Sequence, residues 1–341
     1  MVVSKNFLFV KQFEGEPKES DFRLVEEELP PLNDGEFRTE GLCWSVDPYM
    51  RVYVKVYNHP LNTVMLGGQI AKVIESKNPD YNVGDLVYAH VGWRTHTNVK
   101  KEEEKKDPFS TIYKLPDFEG LPPSLGLGVL GMPGNTAYFG FLEICKPVAG
   151  ETVVVSGAAG AVGSHVGQIA KIKGCRVIGI AGSDEKVKWL EEELKFDKAI
   201  NYKTADVVKE IKKAAPNGVD CYFDNVGGTI SSKVISQMNH MGRIAVCGSV
   251  SAYNCEFNNL PEAPIIQPSM ILNQLKMEGF VVYRWSDRWV EGIKQNVEWI
   301  KLGKLKYKET ITKGFENLPK AFIGMLKGDN FGKAVVYSSH L

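Results

Sequence analysis

The 341 residues carry 41 Lys and Arg against 41 Asp and Glu, so the formal net charge is zero. That balance excludes a strongly basic, nucleic-acid-binding chain, and charge by itself names no partner. With 43% hydrophobic and 24% charged residues, the composition excludes disorder of the whole chain, and the length suggests two domains.

Residues 1–10 hold a short apolar patch that Lys11 stops, with no small-residue cleavage site behind it. They read as a first strand rather than a signal peptide. Nowhere do about 18 apolar residues follow one another without charge, so no segment is expected to span a bilayer. As far as residue 130 the chain shows short alternating strands broken by Pro30-Pro31, Gly67-Gly68, a turn at 83–87 and Pro122-Pro123, the pattern of a β-rich, turn-rich domain. His90 and His96 lie close together without a Cys or carboxylate beside them, and read as loop or packing residues rather than metal ligands. The mixed-sign run 100–107 reads as a solvated loop. Six cysteines, at 43, 145, 175, 221, 247 and 255, form no C-x-x-C pair, which argues against a disulfide framework and a zinc knot. With no N-glycosylation sequon either, a reducing, cytoplasmic setting is expected.

From 151 to 283 short apolar runs alternate with longer amphipathic ones. Strands are expected at 152–156, 175–180, 199–202, 219–224, 243–247 and 279–283, with helices beginning near Ala161, Asp184, Asp206, Ile230 and Pro268. The helix at 184–194 places Val187, Leu190 and Leu194 on one face. Continuous Val and Ile runs separated by helices predict an α/β fold with a doubly wound, Rossmann-type parallel sheet. An amphipathic stretch at 289–300, a segment at 307–311, a helix at 318–326 and a last strand at 334–337 follow. The tail is expected to return to the first domain, so that 1–130 with 300–341 form one domain and 131–299 the other.

The first strand of that sheet runs into Gly-Ala-Ala-Gly-Ala-Val-Gly (157–163) and then into helical spacing. Gly160 lets the backbone approach a pyrophosphate, Gly163 lets the helix pack close on the sheet, and the free N–H groups of the helix N-terminus face the anion. Ala158 stands where G-x-G-x-x-G has its first glycine. The second strand ends in Ala-Gly-Ser-Asp-Glu-Lys (181–186), where Gly182, Ser183 and Lys186 surround the place of the adenosine ribose. A 2'-phosphate about 4 Å from an ammonium gains up to ~4 kcal/mol at an effective dielectric near 20, before solvent screening. NADPH is therefore expected over NADH, with Lys186 as phosphate ligand.

Asp-Pro-Tyr-Met-Arg (47–51), Gly-Met-Pro-Gly-Asn-Thr-Ala-Tyr-Phe-Gly (131–140), the glycine turn, Gly-Ser-Asp-Glu-Lys (182–186), Tyr-Phe-Asp-Asn-Val-Gly-Gly (222–228), Met-Glu-Gly-Phe-Val-Val-Tyr (277–283) and Met-Leu-Lys-Gly-Asp-Asn (325–330) together resemble the prostaglandin reductase, or leukotriene B4 12-hydroxydehydrogenase, family. This is a zinc-free branch of the medium-chain dehydrogenases/reductases, and the likeness spans essentially the whole chain. It implies a GroES-like catalytic domain beside the Rossmann domain, a homodimer, and no metal. It also implies NADPH-dependent reduction of the carbon-carbon double bond of α,β-unsaturated aldehydes and ketones, 15-oxoprostaglandins included, with oxidation of the leukotriene B4 hydroxyl by NADP+ as the counterpart.

Carried over residue by residue, the family's NADP contacts fall on Gly160, Ala161, Val162, Gly163, Lys186, Tyr202, Asn225, Cys247, Gly248, Ser249, Val250, Ser251, Ala252, Tyr253, Phe280, Val281, Val282 and Asn330. Hydride addition to such an alkene leaves charge on the carbonyl oxygen, where a hydrogen-bond donor is needed. The resemblance points to Tyr49, helped by the cofactor's ribose hydroxyl. Leu272 occupies the place of a second tyrosine of the mammalian enzymes, so the donor role falls more heavily on Tyr49, or substrate preference has moved away from prostaglandins. Two other readings stand beside this one: an NADPH quinone oxidoreductase, and a non-catalytic NADPH-binding protein.

Overall fold

The structure, a computed structural model, describes residues 2–100, 111–256 and 259–339. Most of the charge run at 100–107 lies outside the described residues. The chain divides into two compact units, Met1–Leu127 with Glu309–Leu341, and Gly128–Lys308.

The first unit opens with strand β1 (Val2–Phe9), which pairs antiparallel with β2 (Phe22–Leu29) so that Val2 faces Leu29. Then come β3 (Glu36–Ser45), helix α1 (Tyr49–Val56), β4 (Thr63–Val64), β5 (Gln69–Ser76), β6 (Leu86–Ala89), β7 (His96–Lys100) and β8 (Ile112–Lys114). Helix α1 was not anticipated. Its Tyr-Met-Arg-Val-Tyr-Val-Lys-Val sequence alternates like a strand, yet burial falls on Met50 and Val54, one helical turn apart, which sink into a core with Phe9, Trp44 and Trp93. Tertiary packing overrides the period-two pattern here.

The second unit begins with α2 (Met132–Phe139), prolonged by a π-helical turn at Gly140–Cys145. Strands β9 (Thr152–Ser156), β10 (Arg176–Ala181), β11 (Lys198–Asn201), β12 (Val219–Asp224), β13 (Met238–Val246) and β14 (Lys276–Gly279) alternate with α3 (Ala161–Ile172), α4 (Asp184–Glu192), α5 (Val207–Ala214), α6 (Gly228–Ile235) and α7 (Gln267–Leu272); α8 (Trp289–Lys301) follows. The six strands lie in the order β11-β10-β9-β12-β13-β14, all parallel. Every residue of β9 is buried, as a strand covered on both faces requires. Val154, Ile178, Ile200, Tyr222 and Ile244 form the core on one face.

Two expectations are corrected in this unit. The last strand occupies Lys276–Gly279 rather than 279–283, because its register partner β13 ends at Val246, opposite Gly279. Beyond that point Val282–Arg288 coils into a 3-10 turn, and Trp285 stacks on Phe139 with ring centroids 5.6 Å apart. Residues 300–308, assigned above to the first domain, pack with the second. Lys306 N–H donates to Gln168 Oε1 (2.8 Å), its Nζ donates to the Glu193 carbonyl (3.1 Å), and Leu305 is buried.

The chain then returns to the first unit with β15 (Glu309–Lys313), α9 (Leu318–Lys327) and β16 (Lys333–Tyr337). Strand β16 lies between β15 and β3 in the order β15-β16-β3-β5-β6-β8, with β7 also on β3. Phe315, Leu318 and Phe322 complete the core under β1 and α1.

Candidate functional site

Strand β9 ends at Ser156 and the glycine turn follows at the carboxyl edge of the parallel sheet. Gly157 has φ +59°, a conformation that favours glycine. A Cβ on Gly163 would lie 2.4 Å from the Gly157 carbonyl oxygen and 2.9 Å from Ala158 Cα, so only glycine lets α3 sit this close to the turn. Gly160 caps α3 with no side-chain acceptor, leaving the first N–H groups of a 12-residue helix available to an anion.

The loops after β12 and β13 are knitted to this turn. Asn225 N–H donates to Ser156 Oγ (3.0 Å) and its Nδ2 to the Ser156 carbonyl (2.8 Å). Val250 N–H donates to the Asn225 carbonyl (3.2 Å), and Ser251 N–H and Oγ both reach the Val226 carbonyl (3.1 and 2.6 Å). Ser249 N–H donates to Tyr253 Oη at 3.4 Å. Thus residues 160–163, Asn225 and 247–253, which the family resemblance names, stand at one edge of one sheet. Burial, and then the Asp224 carboxylate, push the Cys247 thiol up to about 12, so it is no thiolate nucleophile at neutral pH.

At the end of β10, Ser183 caps α4, accepting from Lys186 N–H at 3.3 Å. Asp184 is drawn aside, its Oδ1 accepting from Asn201 Nδ2 (2.7 Å). A Cβ on Gly182 would meet Tyr202 Cε1 at 3.2 Å and Lys203 Cε at 3.5 Å. The turn therefore gathers a hydroxyl cap, a tyrosine and a lysine beside a helix that carries Lys186, donors suited to a ribose phosphate rather than a ribose 2'-hydroxyl. Lys203, which the sequence reading did not single out, comes to this turn because it directly follows Tyr202. These residues fit NADP.

Phe280, Val281 and Val282 follow β14 rather than lying in it. Phe280 N–H still reaches the Val246 carbonyl (3.3 Å), while its ring fills the space that a Cβ on Gly140 would need. Val281 is exposed and Val282 buried. Leu272, at the end of α7, is 78% exposed.

Tyr49 and Asn330 belong to the first unit. Asn330 Nδ2 donates to the Gly332 carbonyl at 2.8 Å. Tyr49 opens α1, which is held at its start by a buried cluster. Lys333 Nζ donates to the Val46 carbonyl (2.8 Å) and pairs with Asp47 Oδ1 (3.2 Å), whose other oxygen accepts from Ser45 Oγ. Tyr49 Oη is hydrogen-bonded to His90 Nε2 at 3.1 Å. His90 lies in the loop after β6, as expected, and no local pattern could have joined it to a residue 41 positions away. Among the described residues no group of three or more His, Cys, Asp or Glu side chains gathers that could hold a metal ion.

A parallel sheet in this order, with a glycine turn at its first strand and a hydroxyl, a tyrosine and lysines gathered after its second, is the arrangement of a dinucleotide-binding protein. Comparison with known proteins narrows this. A family model described as the N-terminal domain of oxidoreductase matches residues 5–106, and one described as zinc-binding dehydrogenase matches residues 161–298. Prostaglandin reductase 1 of Bos taurus is 50% identical over 339 residues, 98% of this chain and 99% of that protein. The NADP(+)-dependent 2-alkenal reductase of Nicotiana tabacum is 38% identical over 99% of this chain and 98% of its own. The crystal structure of CurA from Vibrio vulnificus in complex with NADPH matches with a TM-score of 0.88 at 37% identity, covering 98% of this chain and 99% of that one. The chain belongs to the prostaglandin reductase family of the medium-chain dehydrogenases/reductases.

Proposed function

We propose that this NADP-dependent oxidoreductase reduces the carbon-carbon double bond of α,β-unsaturated aldehydes and ketones. The observation that carries the reading is the NADP-fitting edge of the second sheet, in a chain half identical along its length to a prostaglandin reductase. NADPH, when bound, would supply a hydride for the β-carbon of the alkene, and the α-carbon would then take its proton from solvent or a tyrosine. Gly160 to Gly163 present backbone N–H groups to the pyrophosphate, and Lys186, Tyr202 and Lys203 hold the ribose phosphate. Asn225, residues 247–253, Phe280 to Val282 and Asn330 are assigned to the rest of the cofactor. Tyr49 donates its hydroxyl hydrogen to the substrate carbonyl oxygen, and His90 orients that hydroxyl. Charge developing on the oxygen is thereby stabilised where it appears. Lipophilic enones, 15-oxoprostaglandins among them, are the proposed substrates, with leukotriene B4 oxidation the counterpart reaction.

The protein is proposed to act as a cytoplasmic homodimer. Strand β14 is the last strand of its sheet, and Ile265, Ile271, Leu272 and Val281 are exposed on the neighbouring segments, an edge and an apolar surface that a second copy would cover. Sedimentation showing a monomer refutes the dimer.

The test is NADPH consumption with a panel of enones of increasing length and with a quinone, on wild type, Tyr49→Phe and Leu272→Tyr. Turnover of enones, reduced in Tyr49→Phe, is expected. Preference for the quinone, or NADPH binding without turnover of any enone, overturns the reading.

A further inference from the structure

We infer that Asp224 is the positioning residue of the NADPH site, an acceptor that locks the loops of β9 and β12 into their cofactor-holding shape. In a sheet ordered β11-β10-β9-β12-β13-β14 the direction of winding reverses between β9 and β12, and ligands of such sheets bind in the crevice at that switch point. Asp224 is the last residue of β12 and is 2% exposed. Its Oδ1 accepts from four neutral donors: Tyr222 Oη (2.8 Å), Ser156 Oγ (3.0 Å), and the backbone N–H groups of Val226 and Gly227 (both 2.9 Å). Ser156 closes β9, stands directly before the glycine turn, and accepts in turn from Asn225 N–H (3.0 Å). The Asp224 carbonyl receives Cys247 N–H (2.8 Å) and Gly248 N–H (3.1 Å), which brings in the loop after β13. One residue therefore joins all three loops proposed to touch the cofactor.

A buried carboxylate is a poor device for stability alone, since an apolar side chain of similar size would serve a core strand without desolvating a charge. What the carboxylate adds is a convergent acceptor. Four donors meet on one oxygen, two of them backbone groups of the very loop that carries Asn225. The two segments also touch: Asn225 Nδ2 donates to the Ser156 carbonyl at 2.8 Å. With the acceptor in place this contact is made before the cofactor arrives, and binding need not order the loops.

The inference rests on the assignment of these loops to NADPH, and the experiment separates the two. NADPH Kd is measured by quenching of protein fluorescence, alongside KM for NADPH, KM for an enone at saturating NADPH, and Tm without cofactor. The proteins are wild type, Asp224→Ala, Asp224→Asn, Tyr222→Phe and Ser156→Ala. Asp224→Ala is expected to raise Kd and KM for NADPH roughly tenfold or more, with KM for the enone nearly unchanged. Asp224→Asn, which keeps an acceptor oxygen, should recover most of the loss. If Asp224→Ala does not fold, Tyr222→Phe and Ser156→Ala, each removing one donor, are expected to raise Kd by about two- to fivefold. A wild-type Kd in the folded variants overturns the inference, as does a fall in Tm with no change in NADPH affinity, or an Asn variant no better than Ala. Wild type that fails to bind NADPH overturns the cofactor assignment itself, and the inference with it.

Discussion

Tyr49 Oη and His90 Nε2 are hydrogen-bonded at 3.1 Å, linking the start of α1 to the residue that follows β6. His90→Phe keeps a ring in place and removes the bond. A neutral hydrogen bond contributes about 0.5–1.5 kcal/mol, so kcat for an enone should fall by about two- to tenfold while KM for NADPH stays level. Tyr49→Phe should fall further. Steady-state kinetics check this, and a His90→Phe enzyme of full rate beside a slow Tyr49→Phe enzyme would remove His90 from the mechanism.

The Lys333–Asp47 pair is almost fully enclosed. Lys333→Met leaves Asp47 charged and buried without its cation, a loss on the order of 3–5 kcal/mol. Asp47→Leu combined with Lys333→Met should regain much of that stability, although Tyr49 would then lack the anchored start of its helix. Urea unfolding of the single and double variants measures the coupling. Equal stability of Lys333→Met and wild type would contradict it.

Lys186→Ala is expected to weaken NADPH far more than NADH, and Lys203→Ala to do the same to a smaller degree, because both ammonium groups are assigned to the phosphate that distinguishes the two cofactors. A tenfold change in their affinity ratio corresponds to about 1.4 kcal/mol, within reach of one partly screened contact. Titration of each variant with both cofactors decides, and equal losses would remove the assignment.

His165 lies buried in α3, where burial lowers its pKa from 6.5 to about 4. In the folded protein it stays neutral, while the unfolded chain takes up a proton near pH 6.5. Its contribution is therefore fully present above that pH and is lost as pH falls from about 6.5 towards about 4, at roughly 1.4 kcal/mol per pH unit. Unfolding free energies measured at neutral and mildly acidic pH should show this slope, flattened in His165→Gln.

The parallel sheet was legible because its strands are buried on both faces and so are written as unbroken apolar runs, as in β9. Helix α1 was not, since its alternation mimics a strand and only the core beneath Met50 and Val54 selects the helix. The end of β14 depends on where β13 stops, a tertiary fact absent from the local pattern. For the site, the glycine turn announced itself by spacing. Asp224 stood in a recognised motif, but its role emerges only when the register of β12 against β9 brings Tyr222 opposite Val154 and places Asp224 beside Ser156.

The placement of β16 between β15 and β3 also orders events during translation. The second unit leaves the ribosome complete, whereas the first must wait, with Trp44 and the aromatic side chains of β1 lacking their final cover, until Phe315, Phe322 and β16 have been made. A released chain that ends just before β15 should therefore expose that aromatic surface to chaperones while already carrying every residue of the second unit.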